Sequence, residues 1–329
     1  MSHPARTVAR ERPPNKRHSP VKHDSLKVRR IRLILSSRVV ENALSRVFES
    51  MGGASARETP SVMLKGRSFG SATQSVKRSL VRAIRKTGYQ LVNLQRLYEF
   101  DGLHTVHHAR FREERRFRAA LDGSLGVTGR VDPASYWRLH IGLWAAAAAA
   151  PVEGAFVECG VNAGFFSSAA LRYLDWNALH KRFYLVDTFS GPVISQYSPE
   201  EISLGRRDAA ERSIAAGAYI TEMDAIRRRY EGWNGVVIVK GVIPEILPSI
   251  EAERIAFLHL DMNCAFPECE ALKFFWQRIS DGGIVLLDDY AYFGYEALGN
   301  ALESTARTIG ASILTLPTGQ GMILKATKH

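Results

Sequence analysis

Short runs of valine, isoleucine and leucine alternate with longer amphipathic segments through the second half of the chain. The apolar runs lie at residues 154–159, 182–189, 235–241, 255–262 and 282–290. Helix-like segments lie between them at residues 164–175, 222–231 and 267–279. Parallel strands need a crossover connection, and strands buried on both faces read as continuous apolar runs. The alternation therefore predicts an α/β fold built from βαβ units.

The C-terminal end of the chain departs from this alternation. Residues 312–317, "SILTLP", and residues 322–326, "MILKA", are separated by the glycine-bearing run "TGQG". Two apolar runs joined by such a turn are typical of a β-hairpin. Among doubly wound folds, a parallel sheet closed by an antiparallel hairpin favours methyltransferases over dehydrogenases. We expect a Rossmann-like, mostly parallel seven-stranded sheet of the class I methyltransferase type.

Composition divides the chain of 329 residues into three parts. Residues 1–60 begin with a stretch rich in Pro, Arg, Lys and His, which predicts a basic, largely disordered extension. Residues 61–132 carry apolar residues at helical spacing and predict a helical N-terminal region. Residues 133–329 contain the alternating segments and are predicted to form the α/β domain.

The positive charge of the chain is concentrated near its N-terminus. Residues 1–118 contain 26 Lys and Arg against 9 Asp and Glu, whereas the remainder contains 18 against 24, which sums to the net charge of +11. A membrane surface or a polyanion would suit such a basic region, and a solvated extension without a partner fits equally well. No recognisable nucleic-acid-binding module accompanies it.

The cysteines and the apolar runs bear on the location of the protein. Cys159, Cys264 and Cys269 form an odd set without framework spacing, which favours a reducing cytoplasm over a disulfide scaffold. The first 25 residues lack the apolar centre of a signal peptide. The longest apolar run, residues 139–152, is too short to cross a bilayer comfortably. We expect a cytoplasmic protein without a transmembrane segment, and the sequence leaves homo-oligomer formation open.

A glycine-rich turn follows the first predicted strand, in "FVECGVNAGFFSS". The spacing of Glu158, Gly160 and Gly164 matches neither the dinucleotide pattern G-x-G-x-x-G nor a phosphate loop. A carboxylate before the first glycine would repel pyrophosphate, but it can accept a hydrogen bond from an ammonium group. Asp187, 29 residues later, ends the next strand, where an acid can accept both hydroxyls of a ribose. Together these positions predict S-adenosylmethionine as the ligand.

Other residues at the carboxyl ends of the predicted strands complete the set of cofactor-binding candidates. They are Asn162, Thr188, Gly241 and Asp261.

Three acidic residues end the fourth and fifth predicted strands. Asp261 ends the fourth strand, and Asp288 and Asp289 follow 27 and 28 positions later. Adjacent parallel strands end side by side at the edge where ligands bind, so these carboxylates should converge. Like charges this close raise one another's pKa unless a cation lies among them. A hard divalent ion with oxygen ligands, Mg²⁺ above all, would remove the repulsion.

Four segments resemble the macrocin O-methyltransferase family: "FVECGVNAGFFS", "FYLVDTFSGP", "VKGVIPEILP" and "LHLDMNCAFPECEALKFFWQRISDGGIVLLDDYAYFGYEAL". The resemblance covers roughly residue 133 to the C-terminus. It implies a class I enzyme that uses S-adenosylmethionine to methylate a hydroxyl of a sugar-containing acceptor. It also implies Mg²⁺ at Asp261, Asp288 and Asp289, with Asp261 as general base.

The chain departs from the macrolide enzymes after the first of these acids. They continue with a second acid and a tyrosine, "DGDLYEST", whereas this chain reads "DMNCAFPECE", with Asn263 able to coordinate a metal or orient the substrate. Two alternatives stay open on the sequence. One is a methyltransferase for nucleic acid or a small aromatic compound, although no Asn/Asp-Pro-Pro-Tyr/Phe motif is present. The other is a non-catalytic partner protein that binds S-adenosylmethionine.

Several other residues carry weaker expectations. The polar segment 190–221 has the length of a functional loop and is interpreted as a lid, with Arg206 and Arg207 available to an anionic substrate. His140 and His259 lie in apolar segments and are interpreted as core histidines. Tyr290 and Tyr292 follow the acid pair and fit either an acceptor pocket or packing.

Overall fold

The computed structural model describes residues 98–128 and 135–326, together with Ser79 and Arg82. All of these except Ser79 belong to one compact unit, Val81–His329. The extension predicted for residues 1–60 lies outside the described residues, as do the boundaries predicted after residues 60 and 132.

The elements of the described residues follow the predicted alternation. The strands are β1 (Tyr98–Phe100), β2 (Leu103–Thr105), β3 (Ala155–Cys159), β4 (Phe183–Asp187), β5 (Val236–Lys240), β6 (Ile255–Leu260), β7 (Ile279–Leu287), β8 (Leu314–Thr315) and β9 (Gly321–Leu324). The α-helices are α1 (Arg115–Thr128), α2 (Tyr136–Ala149), α3 (Phe165–Tyr173), α4 (Pro199–Ser203), α5 (Arg206–Ala215), α6 (Met223–Tyr230), α7 (Ala265–Trp276) and α8 (Glu296–Thr308).

Seven strands form one sheet in the order β5-β4-β3-β6-β7-β9-β8. Strands β3 to β7 are parallel, while β9 runs antiparallel to both β7 and β8. The predicted mostly parallel sheet with an antiparallel C-terminal hairpin is therefore confirmed. The strand order reverses between β3 and β6, and ligands of open α/β sheets bind at such a switch point.

Helices cover both faces of the sheet because the central strands are apolar on both sides. Phe156 of β3 packs into a core with helices α1, α2, α3 and α6, and the next residue, Val157, packs into a second core with α7 and α8. All six residues of β6 are buried. Alternate side chains of a strand point to opposite faces, so each central strand contributes to both cores.

A β-hairpin lies in the region that the sequence pattern presents as helical. Strands β1 and β2 pair antiparallel through a turn at Asp101 and Gly102, which have φ values of 52° and 74°. Both angles are left-handed, and an Asp-Gly pair is a strong hairpin signal. Local turn chemistry therefore overrides helical spacing at residues 98–105, and the helical prediction applies to α1.

None of the helices in the described residues is long and apolar enough to span a membrane. The longest apolar run lies largely in α2, which buries Leu139, Leu143 and Ala146 in the protein core.

Two glycines shape the turn between β3 and α3. Gly160 has a φ of 93°, and a Cβ atom there would lie 2.0 Å from the backbone oxygen of Asp261. Gly164 precedes α3 with a φ of 73°, and a Cβ atom there would lie 2.0 Å from Oη of Tyr230. Only glycine allows the chain leaving β3 to pass this closely against the chain leaving β6.

We expect Gly160→Ala to destabilise the protein by on the order of 3 kcal/mol or more, because backbone strain adds to a clash with backbone atoms. The matched control is Gly310→Ala. Gly310 also has a left-handed φ, 71°, but no atom lies within 4 Å of a Cβ there. Its cost should be about 1–2 kcal/mol from strain alone. Chemical denaturation measures both, and equal losses would contradict the close-approach argument.

Candidate active site

A cavity of about 610 Å³ opens at the carboxyl ends of the parallel strands. It contains nearly every residue that the sequence singled out: Glu158, Gly160, Asn162, Asp187, Thr188, Gly241, Asp261, Asp288 and Asp289. Gly164 is absent from the lining and shapes the start of α3 instead.

Asp187 anchors the glycine turn through its carboxylate. Oδ2 accepts hydrogen bonds from the backbone N–H groups of Val161 and Asn162 at 2.7 and 2.8 Å. Oδ1 accepts one from the N–H of Phe189 at 2.6 Å. The Thr188 hydroxyl lies 3.4 Å from Oδ1 but has a shorter bond, 2.6 Å, to the carbonyl of Gly191, so a ligand hydroxyl could take its place on Oδ1. This anchoring role does not follow from the sequence pattern, and the ribose contact stays a prediction.

The turn is also tied to the segment predicted as a lid. Asn162 has a left-handed φ of 45°; its Oδ1 accepts the N–H of Ile220 at 3.1 Å and its Nδ2 donates to the carbonyl of Ala218 at 3.3 Å. Thr188 closes the turn after β4 by donating to the carbonyl of Gly191 at 2.6 Å. These contacts connect the predicted cofactor side of the cavity to the end of segment 190–221.

Segment 190–221 contains a 3-10 helix, Ile194–Gln196, followed by the two α-helices α4 and α5. A capping box at Ser198 and Glu201 starts α4, with the Ser198 N–H donating to Glu201 Oε2 at 2.8 Å. The other oxygen of Glu201 accepts the N–H of Ala265 at 2.8 Å. Because Glu201 is buried, this bond ties α4 to the start of α7.

The two arginines of this segment differ in their surroundings. The guanidinium of Arg206 lies 3.5 Å from the ring centroid of Tyr295, a cavity residue. Arg207 pairs at 3.0 Å with Glu211, and both of these side chains are exposed. Only Arg206 therefore lies at the border of the cavity.

The three predicted metal ligands lie close together. Asp261, Asp288 and Asp289 each place one carboxylate oxygen within 4.8 Å of the others. Strand β7 ends at Leu287, so the chain has turned out of the strand when it reaches Asp289. The two neighbouring acids can therefore direct their side chains to the same place, which a regular strand would forbid.

Arg138 of α2 lies against this acid cluster, and the sequence analysis missed it. Its Nη2 contacts the carboxylate of Asp288 and donates to Oδ1 of Asp289 and to the carbonyl of Asp288, both at 2.8 Å. A buried charge needs a partner. A single arginine on an otherwise apolar, alanine-rich helix was the signal that could have revealed it.

His259 lies below the same cluster. It is buried as expected, but its Nδ1 lies 3.3 Å from Oε1 of Glu158 and its Nε2 lies 3.8 Å from Oδ1 of Asp288. Burial alone would lower the pKa of His259, but Asp288 and Glu158 outweigh it and raise the pKa to about 10. The imidazolium of His259 therefore lies between the carboxyl group of Glu158 and that of Asp288, which belongs to the acid cluster. His140, in contrast, stacks on the ring of Phe111.

The pKa values of the three clustered acids diverge. Burial, followed by the charges of Asp288 and Asp289, raises the pKa of Asp261 well above its usual range. Burial would also raise the pKa of Asp288, but Arg138 and His259 hold it well below its usual range. Burial and the charge of Asp288 raise the pKa of Asp289 to about 6. The carboxylate of Asp261 is thus the most basic of the three, because Arg138 contacts the other two.

Glu268 supports the turn after β6, and it too was missed. Its Oε1 accepts the N–H groups of Met262 and Asn263, both at 3.0 Å. Asn263 has a left-handed φ of 59°. Burial raises the pKa of Glu268 to about 8. This side chain holds the turn that presents Asp261.

The tyrosines after the acid pair have separate roles. Tyr292 lines the cavity and donates to Oδ1 of Asp101 at 2.9 Å. Tyr290 donates to Oε2 of Glu303 at 2.8 Å and is absent from the cavity lining.

A third tyrosine connects to the acid cluster through an asparagine. Tyr295 donates to Oδ1 of Asn263. The Nδ2 of the same asparagine donates to Oδ1 of Asp261 at 3.3 Å.

A family model for macrocin O-methyltransferase (TylF) matches residues 94–304, which is more than half of the chain. The chain belongs to this family. It is therefore an S-adenosylmethionine-dependent O-methyltransferase, and the resemblance found in the sequence is confirmed. No curated protein matches the chain at a significant level.

Solved methyltransferases resemble the chain in fold. The O-methyltransferase NovP is 17% identical, with a TM-score of 0.48, over 59% of this chain and 81% of NovP. The calicheamicin methyltransferase CalS11 is 16% identical, with a TM-score of 0.44, over 64% of this chain and 93% of CalS11. The SAH-bound methyltransferase PaMTH1 of Podospora anserina is 13% identical, with a TM-score of 0.40, over 80% and 100% of the two chains.

Asp187→Ala should weaken binding of S-adenosylmethionine by about 2–3 kcal/mol, because a charged acceptor and the anchor of the glycine turn are both lost. Asp224→Ala is the matched control, since Asp224 is an exposed acid of α6 that pairs with Arg227. Titration calorimetry measures both affinities. Unchanged affinity in Asp187→Ala, or tight binding of NAD to the wild type, would contradict the assignment of the cofactor side.

Glu268 should make the stability of this methyltransferase depend on pH. Its pKa is raised from 4.5 to about 8, so between these values the folded state holds a proton that the unfolded state has lost. Stability should therefore fall as pH rises through this window. Glu268→Gln keeps the acceptor oxygen but cannot titrate, so its unfolding free energy should exceed that of the wild type near pH 9.

The control is Glu270→Gln, which removes an acid of the same helix that pairs with Lys273 at the surface. Denaturant unfolding between about pH 5 and pH 9 gives the three profiles. Parallel profiles for wild type and Glu268→Gln would show that Glu268 does not titrate in this window.

Proposed function

We propose that this methyltransferase methylates a sugar hydroxyl on a glycan, a glycolipid or a glycosylated natural product, assisted by a divalent metal ion. The observation that carries the proposal is the concentration of hydrogen-bonding groups on one side of the cavity. Three carboxylates, Asn263, Tyr292 and Tyr295 lie together there.

A polyhydroxylated acceptor suits this lining. Gln196 and Asp101 also line the cavity and add to its polar groups. A sugar offers several hydroxyls that can each donate and accept hydrogen bonds with these groups, whereas a flat aromatic acceptor offers few. The macrocin O-methyltransferase family supports the same acceptor class.

The residues around the glycine turn fit S-adenosylmethionine. Oε2 of Glu158 is buried and has no hydrogen-bond partner among the described residues, so it can accept one from an ammonium group. Gly160 keeps the turn free of a side chain, and Asp187 ends the neighbouring strand. The cofactor supplies an electrophilic methyl group on a sulfonium.

The acid cluster fits Mg²⁺ by the chemistry of its donors. Asp261, Asp288 and Asp289 would hold the ion through oxygen atoms, which are the ligands that Mg²⁺ prefers. Asn263 offers an amide oxygen where the macrolide enzymes carry a second acid. A bound ion would lower the pKa of a coordinated hydroxyl and orient it.

Asp261 is the proposed general base. The acceptor oxygen forms a bond to the methyl carbon while the carbon–sulfur bond breaks and its electron pair goes to sulfur. The proton of the hydroxyl passes to the carboxylate of Asp261. Among the described contacts, Arg138 pairs with Asp288 and Asp289 and not with Asp261, so the carboxylate of Asp261 is the one available to accept a proton. Asn263, held by Tyr295, orients this carboxylate.

Removing the metal or the base should abolish turnover of an acceptor identified from a panel of glycosides with methyl-labelled cofactor. EDTA should stop methylation and Mg²⁺ should restore it. Asp261→Asn should lower turnover by about 10²–10⁴-fold while leaving cofactor affinity within a few-fold. Asp281→Asn, an exposed acid in β7, is the control.

Full activity in EDTA would refute metal assistance but leave sugar methylation intact. Unimpaired turnover in Asp261→Asn would remove this residue as the base. Methylation of nucleic acid or a small aromatic compound, with no glycoside accepted, would overturn the proposed acceptor class.

A further inference from the structure

The guanidinium of Arg138 is a cation that lies directly against the acid cluster. Its side chain is only 12% exposed, and its Nη2 contacts the carboxylates of both Asp288 and Asp289. The guanidinium therefore neutralises part of the charge of the cluster. Neither the predicted metal site nor the proposed general base accounts for this arginine.

A second set of groups holds Arg138 from its outer side. Its Nε lies 3.7 Å from Oδ2 of Asp101, in the turn of the β1–β2 hairpin. Its guanidinium carbon lies 4.9 Å from the ring centroid of Tyr292, whose hydroxyl donates to Asp101 at 2.9 Å. Arg138 thus lies between the acid cluster and a second, outer carboxylate.

Arg138 contacts one carboxylate oxygen on each of two proposed metal ligands. Arg138 contacts Oδ2 of Asp288, while Oδ1 of the same residue accepts Nε2 of Gln320 at 2.9 Å. Oδ1 of Asp289 accepts from Arg138 as well. A guanidinium and a divalent ion are both cations, and two cations on the same oxygens repel each other strongly in a partly buried site.

We propose that Arg138 and a divalent cation compete for the carboxylates of Asp288 and Asp289, so that Arg138 sets the metal affinity of the site. The inference rests on the metal site of the proposed function. Without a metal, Arg138 is a positioning residue that keeps the two acids together. A bound metal would take these oxygens from the guanidinium, and Asp101 and Tyr292 would remain to hold it.

The test is calorimetric titration of Mg²⁺ into the full-length protein without acceptor. Arg138→Met, which removes the charge but keeps a long side chain, should bind Mg²⁺ at least about tenfold more tightly than the wild type. Arg138→Lys keeps the charge but loses the planar fork that contacts two carboxylates at once, so its affinity should lie between the two.

Arg206→Met is the matched control. Arg206 also lies at the border of the cavity, but it stacks on Tyr295 and forms no ion pair with the three acids among the described contacts. Its loss should change Mg²⁺ affinity by less than about threefold, because a charge at longer range is more strongly screened. An increase equal to that of Arg138→Met would show a general charge effect and overturn competition.

The remaining outcomes separate this inference from the proposed function. Equal Mg²⁺ affinity in wild type and Arg138→Met would overturn competition while leaving the metal site in place. Absence of Mg²⁺ binding from both would overturn competition and metal assistance together, and sugar methylation would still be decided by the glycoside panel. If Arg138→Met does not fold, the test rests on Arg138→Lys. A Mg²⁺ affinity of Arg138→Lys no higher than that of the wild type would then overturn competition.

Discussion

Buried negative charge at the carboxyl edge of the sheet is the constraint on which the site depends. Strands β3, β6 and β7 bring Glu158, Asp261 and the pair Asp288 and Asp289 into one cavity, where each is buried or partly buried. Each carboxylate there needs a cation, a proton or hydrogen-bond donors, since an isolated buried charge is prohibitively costly. The surrounding elements supply cations to some of these acids and not to others. The pKa values of the acids therefore differ, and so does the chemistry that each acid can perform.

Two cations come from elements that are otherwise apolar. Arg138 extends from α2 to Asp288 and Asp289, and His259 lies within β6 between Glu158 and Asp288. In the part of the chain that the structure describes, Asp261 forms no ion pair with either cation, and the neutral amide of Asn263 donates to its carboxylate at 3.3 Å. Its carboxylate is therefore left more basic than its neighbours, as the proposed role in accepting a proton requires.

Two other acids of the site bind the backbone of its turns. Asp187 and Glu268 accept the N–H groups of the turns after β3 and β6, which are the turns that border the cavity. Gly160 lets these turns approach each other closely. The shape of the cavity thus follows from carboxylate–backbone bonds and one missing side chain, and the same residue type serves both structure and chemistry.

The sequence by itself determined the sheet and the acids at its edge. Apolar runs of strand length and the glycine turn are local signals, and a residue directly after a parallel strand must lie at the carboxyl edge. Arg138 and His259 stand out in the sequence only as charged or titratable residues in apolar segments, which does not reveal their partners, because each reaches its partner across the fold from a helix or a buried strand. Only the tertiary structure decided which charges meet, since side chains distant in sequence come together only when α2 packs on the sheet and strands β3, β6 and β7 lie side by side.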